Sequence, residues 1–167
     1  IQSKPSSRTE DRNNLMLKYD AFRKAISLAI NRDDYCARNN PSSQAALGYL
    51  NQMYYYDVEN GSTYRETDQA KEAILNAYGA EKTENGWKVG TVEYDDLDEA
   101  VDAVTGYNLT LAKQLMTQAY EEAKEAGDYT DGEKIVLTYG IETQTANTDR
   151  VLAWFQSTFD NAVAGTP

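Results

Sequence analysis

The chain has 167 residues, 41% hydrophobic and 26% charged, enough apolar material for a buried core and too much for a wholly disordered segment. Twenty-seven acidic against sixteen basic residues give a formal net charge of -11, a field that repels phosphate backbones and anionic headgroups and argues against nucleic-acid binding. Histidine is absent, which removes histidine triads and histidine metal sites, and the single cysteine, Cys36, allows neither an internal disulfide nor a four-cysteine zinc site.

Residues 1–13 are polar, with Pro5 and scattered charge, and are expected to form a flexible arm or linker ahead of a single domain over 14–167. In the segment YDAFRKAISLAINR, residues 19–32, the apolar positions Phe22, Ala25, Ile26, Ala29 and Ile30 recur at intervals of 3, 1, 3 and 1, one face of an α-helix. Arg23, Lys24 and Ser27 fall on the solvent side, and Asp20 is a candidate N-cap. The helix is expected from 14 or 19 to 31, with a turn-linked continuation over 33–38 that ends before Asn39, Asn40 and Pro41, because proline disfavours helix in its predecessor. Cys36 lies among acidic neighbours, without the electropositive surroundings of a reactive thiol, and is read as a half-buried structural residue.

Over 41–66 no period holds, so a long irregular stretch is expected, with one short helix at 44–49. The helical pattern returns at TDQAKEAILNAYG, where Ala70, Ile74, Leu75 and Tyr78 share a face, Thr67 or Asp68 can cap, and Gly79 suits the position after the helix. Asn85 and Gly86 predict a type I′ turn, and Trp87, Val89, Val92 and Tyr94 favour the strands of a small hairpin. Residues 95–104 predict a short helix whose acids stand at its positive N-terminal end. The longest pattern follows from Asn108, with Leu109, Ala112, Leu115, Met116, Ala119, Tyr120 and Ala123 on one face and Gly127 as the stop.

The run IVLTY at 135–139 predicts a buried strand between Gly132 and Gly140, and a last helix over 147–163 presents Val151, Leu152, Phe155 and Phe159. Helix, strand and helix in that order is the grammar of a parallel sheet. The expected class is therefore α/β and helix-rich: about five amphipathic helices, one or two core strands and a small hairpin. So few strands cannot cover so many helices, so either the fold is mostly helical or the partner strands lie outside the chain.

Groups that would carry catalysis are missing. No G-x-G-x-x-G, phosphate-binding loop or G-x-S-x-G occurs, and the acids Asp95, Asp96, Asp98, Glu99 and Asp102 lack the alternation and the bidentate glutamate of a calcium loop. No spacing brings two carboxylates together as an acid hydrolase needs. A solvated helix start explains the cluster, and a tight turn explains Asp128, Asp131 and Gly132. Neither enzyme activity nor a cofactor is expected. Tyrosine is abundant, at thirteen residues, with Tyr54, Tyr55 and Tyr56 consecutive; such rings either stack on a ligand or serve as ordinary core and rim residues. No apolar run is long enough to span a membrane. A start at IQSKPSS without methionine and an end at AVAGTP are what a piece of a longer precursor would show.

Three segments resemble, in order, the extracytoplasmic solute-binding proteins of oligopeptide and dipeptide ABC transporters. They are YDAFRKAISLAINR, similar to that family's F/V-R-x-A-I-x-x-A-I-D/N-R helix; TYRETDQAKEAILNAYG at 63–79; and GYNLTLAKQLMTQAYEEAKEAGDYTDGEKIVLTYG at 106–140. The resemblance implies part of the second lobe of a two-lobe binding protein that closes on a peptide and delivers it to a membrane permease, as a monomer outside the cytoplasm, lipid-anchored in its full-length form. It carries ligand contact to Pro41, Ser42 and Ser43, in the small- and proline-rich loop after the opening helix. Two departures stand out: Asn31 replaces the family's commoner Asp, and the downstream aromatic and acidic segment that grips the peptide terminus is not present. From a different class, a helical interaction or scaffold module of the cell envelope would also fit the many amphipathic helices.

Overall fold

The computed structural model describes residues 15–43, 45, 51, 53–138, 140 and 142–167. The arm expected at 1–13 and, apart from Ala45, the helix expected at 44–49 lie outside them. Among the described residues are six α-helices: α1 (Asp20–Ala29), α2 (Arg32–Asn39), α3 (Asp68–Tyr78), α4 (Leu97–Thr105), α5 (Leu109–Glu125) and α6 (Ala146–Val163). Five short strands accompany them: β1 (Tyr55–Asp57), β2 (Ser62–Thr63), β3 (Glu81–Lys82), β4 (Trp87–Val89) and β5 (Val92–Tyr94). The class is mixed helix and sheet, as expected, but every strand pairing is antiparallel, in a β1–β2 hairpin and a β3–β4–β5 meander, and the parallel helix-strand-helix unit does not form among the described residues. The chain divides into two compact units, Ile1–Ile30 with Leu109–Pro167, and Asn31–Asn108.

The first unit is built on α1 against α5, with α6 touching both. Ala21, Phe22, Ala25, Ile26, Leu28 and Ala29 of α1 meet Ala112, Met116, Ala119 and Ala123 of α5, and Ala162 of α6 completes the core. Alanines on both α1 and α5 make up much of this contact, and their small side chains permit close approach of two helices. The apolar face of α1 is wider than its 3, 1, 3, 1 spacing suggested, because two helices cover it. Ala21 and Leu28 are therefore buried as well. Asp20 does not cap: the N-cap position is Tyr19, whose side chain makes no capping bond, and Asp20 in the first turn pairs with Arg23.

The α5 helix ends where Gly127 takes a φ of +73° and the Asp128 N–H reaches back to the Ala123 carbonyl at 2.8 Å, satisfying a carbonyl the helix leaves open. At 18 residues α6 is longer than α5 at 17, so the longest helix is the last one. Thr145 caps α6 by accepting from the Thr148 N–H at 3.2 Å, and Phe155 stacks on Phe159 with centroids 5.9 Å apart.

The strand expected at 135–139 does not form over its described residues, 135–138. Ile135 and Leu137 are half-buried against the helical core, whereas Val136 is 61% exposed. Burial thus alternates with the period of a strand, but none of the strands among the described residues pairs with this segment, and a strand is defined by its ladder.

In the second unit α3 packs on α4, and the meander lies against α4. Its core is Leu75, Trp87, Ala100 and Val104, ringed by Ile74, Tyr78, Val89, Tyr94, Leu97 and Val101. Thr67 caps α3 from the Ala70 N–H at 3.3 Å and Gly79 closes it at a φ of +77°. Asp96 caps α4 twice, accepting from the Asp98 and Glu99 N–H groups at 2.8 and 2.9 Å, and Lys71 of α3 pairs with Asp98 at 2.5 Å.

The type I′ turn is replaced. Residues 83–86 form a four-residue loop closed by the Thr83 N–H on the Gly86 carbonyl at 2.9 Å, and no residue but glycine has a positive φ among the described residues. Asn85 therefore cannot take its I′ conformation. The β4–β5 connection is the tight one, with Gly90 at +60° followed by Thr91, a II′ pattern, so the expected hairpin is a three-stranded meander.

Candidate functional site

Local chemistry explains the end of α2. Asn31 caps its start, accepting from the Asp34 N–H at 3.0 Å, a role that either Asn or Asp fills, so the Asn31 departure costs the helix nothing. Asp33 and Asp34 occupy the first turn and Arg38 the last, each charge opposing the helix dipole, and Arg38 Nε meets Asp34 Oδ1 at 2.7 Å. Arg32 Nη1 donates to the Thr105 carbonyl at 3.4 Å, tying α2 to the C-terminal end of α4. Desolvation holds this guanidinium below its ordinary pKa.

Beyond α2, Asn40 leaves the helical region at φ −149° and ψ 72°, as the residue before a proline must. The next three residues are the sequence-predicted contacts Pro41, Ser42 and Ser43, and all three are exposed. The Ser43 N–H bonds the Asn40 carbonyl at 2.9 Å, and the Ser42 hydroxyl donates to Asn40 Oδ1 at 3.0 Å. The result is a fixed turn with two hydroxyls and no titratable group. It can accept from and donate to neutral polar groups; it cannot move a proton at neutral pH.

The following hairpin forms where the sequence predicts only irregular chain over 41–66, and it carries the three consecutive tyrosines. Tyr55 pairs with Thr63 and Asp57 with Ser62, so Tyr56 is an extra residue that bulges the strand. The loop is held by Asp57, which accepts from the Glu59 and Asn60 N–H groups at 3.0 and 3.2 Å and from Asn60 Nδ2 at 2.6 Å. Those bonds, the Asn60 side chain foremost, keep its carboxyl below the usual range. Past β2, Glu66 accepts from the Thr63 N–H at 2.8 Å and its hydroxyl at 2.9 Å, which lowers the Glu66 carboxyl likewise.

On this frame Tyr54, Tyr55, Tyr56 and Tyr64 are 54%, 52%, 74% and 44% exposed, beside Met53 at 76% and Val58 at 77%. These tyrosines are therefore not core, and none is among the residues packed on either hydrophobic cluster. Three consecutive tyrosines already hinted at this: successive strand residues face opposite sides, and a two-stranded hairpin cannot bury both. Trp87, by contrast, is core, with the Lys82 ammonium 5.4 Å from its ring.

Elsewhere, Asp96 is engaged as a cap, and no group of three His, Cys, Asp or Glu among the described residues is arranged to hold a metal ion. No helix among them is long and apolar enough to cross a membrane. The sequence matches no family model, no curated protein and no solved structure.

Proposed function

We propose that the chain belongs to the substrate-binding component of an ABC transporter, holding an oligopeptide or similar solute outside the cytoplasm for a membrane permease. The finer assignment to a second lobe is part of the same proposal. Supporting it are the three ordered segments, whose helices form with the expected caps at Thr67 and Gly79 and the expected stop at Gly127. The observation that carries it is the turn at Pro41, Ser42 and Ser43, exposed and fixed at the end of α2. Neutral hydroxyls of this kind bind a peptide backbone directly or through water and leave side-chain identity open, which suits capture without chemistry.

Titration of di- to hexapeptides, followed by heat and by melting temperature, tests the reading. A ligand at 100 times its Kd stabilises the native state by about 2.7 kcal/mol, which a melting curve resolves. Absence of heat and of stabilisation with every peptide and small solute tried overturns it.

A further inference from the structure

The acidic charge is unevenly distributed. Residues Asn31–Asn108 hold fifteen acidic and six basic residues, a formal charge of -9 out of the chain's -11. Those few cations are already engaged: Arg38 with Asp34, Lys71 with Asp98, Lys82 with Glu72, Lys88 with Glu81, and Arg32 with the Thr105 carbonyl; Arg65 also has a partner. Among the described residues of this acidic unit, Tyr54, Tyr55, Tyr56 and Tyr64 of the hairpin region are exposed, flanked by Asp57, Glu59 and Glu66, with Tyr107 exposed elsewhere. Lysines lie over Tyr19, Trp87 and Tyr120 at 5.1 to 5.4 Å from the ring centres, while no such cation lies over Tyr54, Tyr55 or Tyr56 among the described residues. Aromatic faces attract ammonium and guanidinium groups, and a surrounding negative field draws them in. Exposed tyrosine rings with open faces can supply such contacts.

We propose that the hairpin of β1 and β2 docks a lysine- or arginine-bearing peptide, with its cationic side chains over the faces of Tyr54, Tyr55 and Tyr56. The inference rests on the peptide-binding reading above and adds to it a ligand class and a surface beyond Pro41, Ser42 and Ser43. Anionic ligands are disfavoured by the unit's charge, whereas a cationic side chain is drawn to it. The rings stand in solvent on a frame fixed by Asp57 and Glu66, so little of the site has to order when the ligand arrives.

The test titrates trilysine, trialanine and triglutamate into the 167-residue chain and into two triple variants at Tyr54, Tyr55 and Tyr56. One changes each tyrosine to leucine (Y54L, Y55L, Y56L) and the other changes each to phenylalanine (Y54F, Y55F, Y56F). Trilysine is expected to bind best and to weaken as salt is raised. The leucine variant should lose about tenfold or more in affinity, and the phenylalanine variant, which keeps the ring faces, should stay within about twofold of the parent. Equal affinity for trialanine and trilysine, or an unaffected leucine variant, overturns the docking inference and leaves the peptide-binding reading standing. If no tripeptide binds, the docking inference falls, and the peptide-binding reading is decided separately by the wider titration of di- to hexapeptides and small solutes. Native circular dichroism of the leucine variant separates a lost ring contact from a lost fold.

Discussion

The hydroxyl of Tyr19 donates to Asp128 Oδ2 at 2.6 Å, although 109 residues separate them in the chain. The bond ties the residue before α1 to the loop after α5, across the most extensive helix contact in its unit. Lys18 pairs with the same carboxylate and lies 5.1 Å from the Tyr19 ring centre. Tyr19→Phe keeps the ring and removes the donor, and is expected to cost about 1–2 kcal/mol, the range for a hydrogen bond to a charged acceptor. Urea unfolding of the two proteins, compared by midpoint at equal slope, measures it.

Packing of α1 sets opposite penalties at neighbouring positions. Leu28→Ala opens a cavity at a side chain only 1% exposed and should cost about 2–5 kcal/mol. Ala25→Leu at a fully buried alanine forces α1 away from its partners and should cost about 1–3 kcal/mol. Ala37→Leu on the exposed side of α2 should lie within about 0.5 kcal/mol of the parent, so melting curves of the three variants separate buried from exposed positions.

Gly86 is required by both conformation and space. Its φ is +153°, and a Cβ there would lie 2.0 Å from the Tyr94 carbonyl oxygen, an atom of the sheet backbone that cannot swing aside. Gly86→Ala should displace β4 from β5 and expose Trp87, seen as a red-shifted tryptophan emission and a lower melting temperature. Gly61→Ala, with open space at its Cβ but a φ of +71°, should cost only about 1 kcal/mol.

Stability should fall in alkali through one corner of the first unit. Hydrogen bonds to Asp128 and to Tyr120 and Asp131 hold Lys18 and Lys124 above the usual lysine range, and burial raises Tyr19 and Tyr129. All four keep a proton in the native state that the unfolded chain gives up near pH 10. Their contribution is complete below that pH and declines as pH rises through the raised native values. Denaturation midpoints from about pH 8 to about pH 12 should decline, and a Lys124→Met, Tyr129→Phe double variant should show a shallower decline.

Ser42→Ala and Ser43→Ala each remove one exposed hydroxyl and should leave the melting temperature of the free chain unchanged within about a degree. If these hydroxyls meet a peptide backbone, each change should weaken peptide binding by roughly 2- to 10-fold, the worth of one neutral hydrogen bond. Calorimetric titration with a bound peptide measures both.

Several elements were legible because their cause is local. The 3, 1, 3, 1 spacing around Phe22, the cap at Thr67, the left-handed Gly79 and the stop at Gly127 depend on residues within one helix, and all four take their expected places. The candidate turn was legible for the same reason: Pro41 ends α2 from within two residues.

What the sequence could not decide depends on distant neighbours. The alternation of Ile135, Val136 and Leu137 specifies an extended chain with one face on a core, but a strand also needs a second chain at hydrogen-bonding distance, which no local pattern supplies. The exposure of Tyr54, Tyr55 and Tyr56 likewise turns on whether any element lies over them. The sequence by itself determined the helical segments, the cap at Thr67, the helix stops at Gly79 and Gly127, and the acidic balance, because backbone hydrogen bonds and charge are set within a few residues. The tertiary structure decided which apolar faces found partners, how the turns at Gly86 and Gly90 resolved into a meander, and that the tyrosine hairpin was left open to solvent, because burial belongs to pairs of elements brought together only by folding.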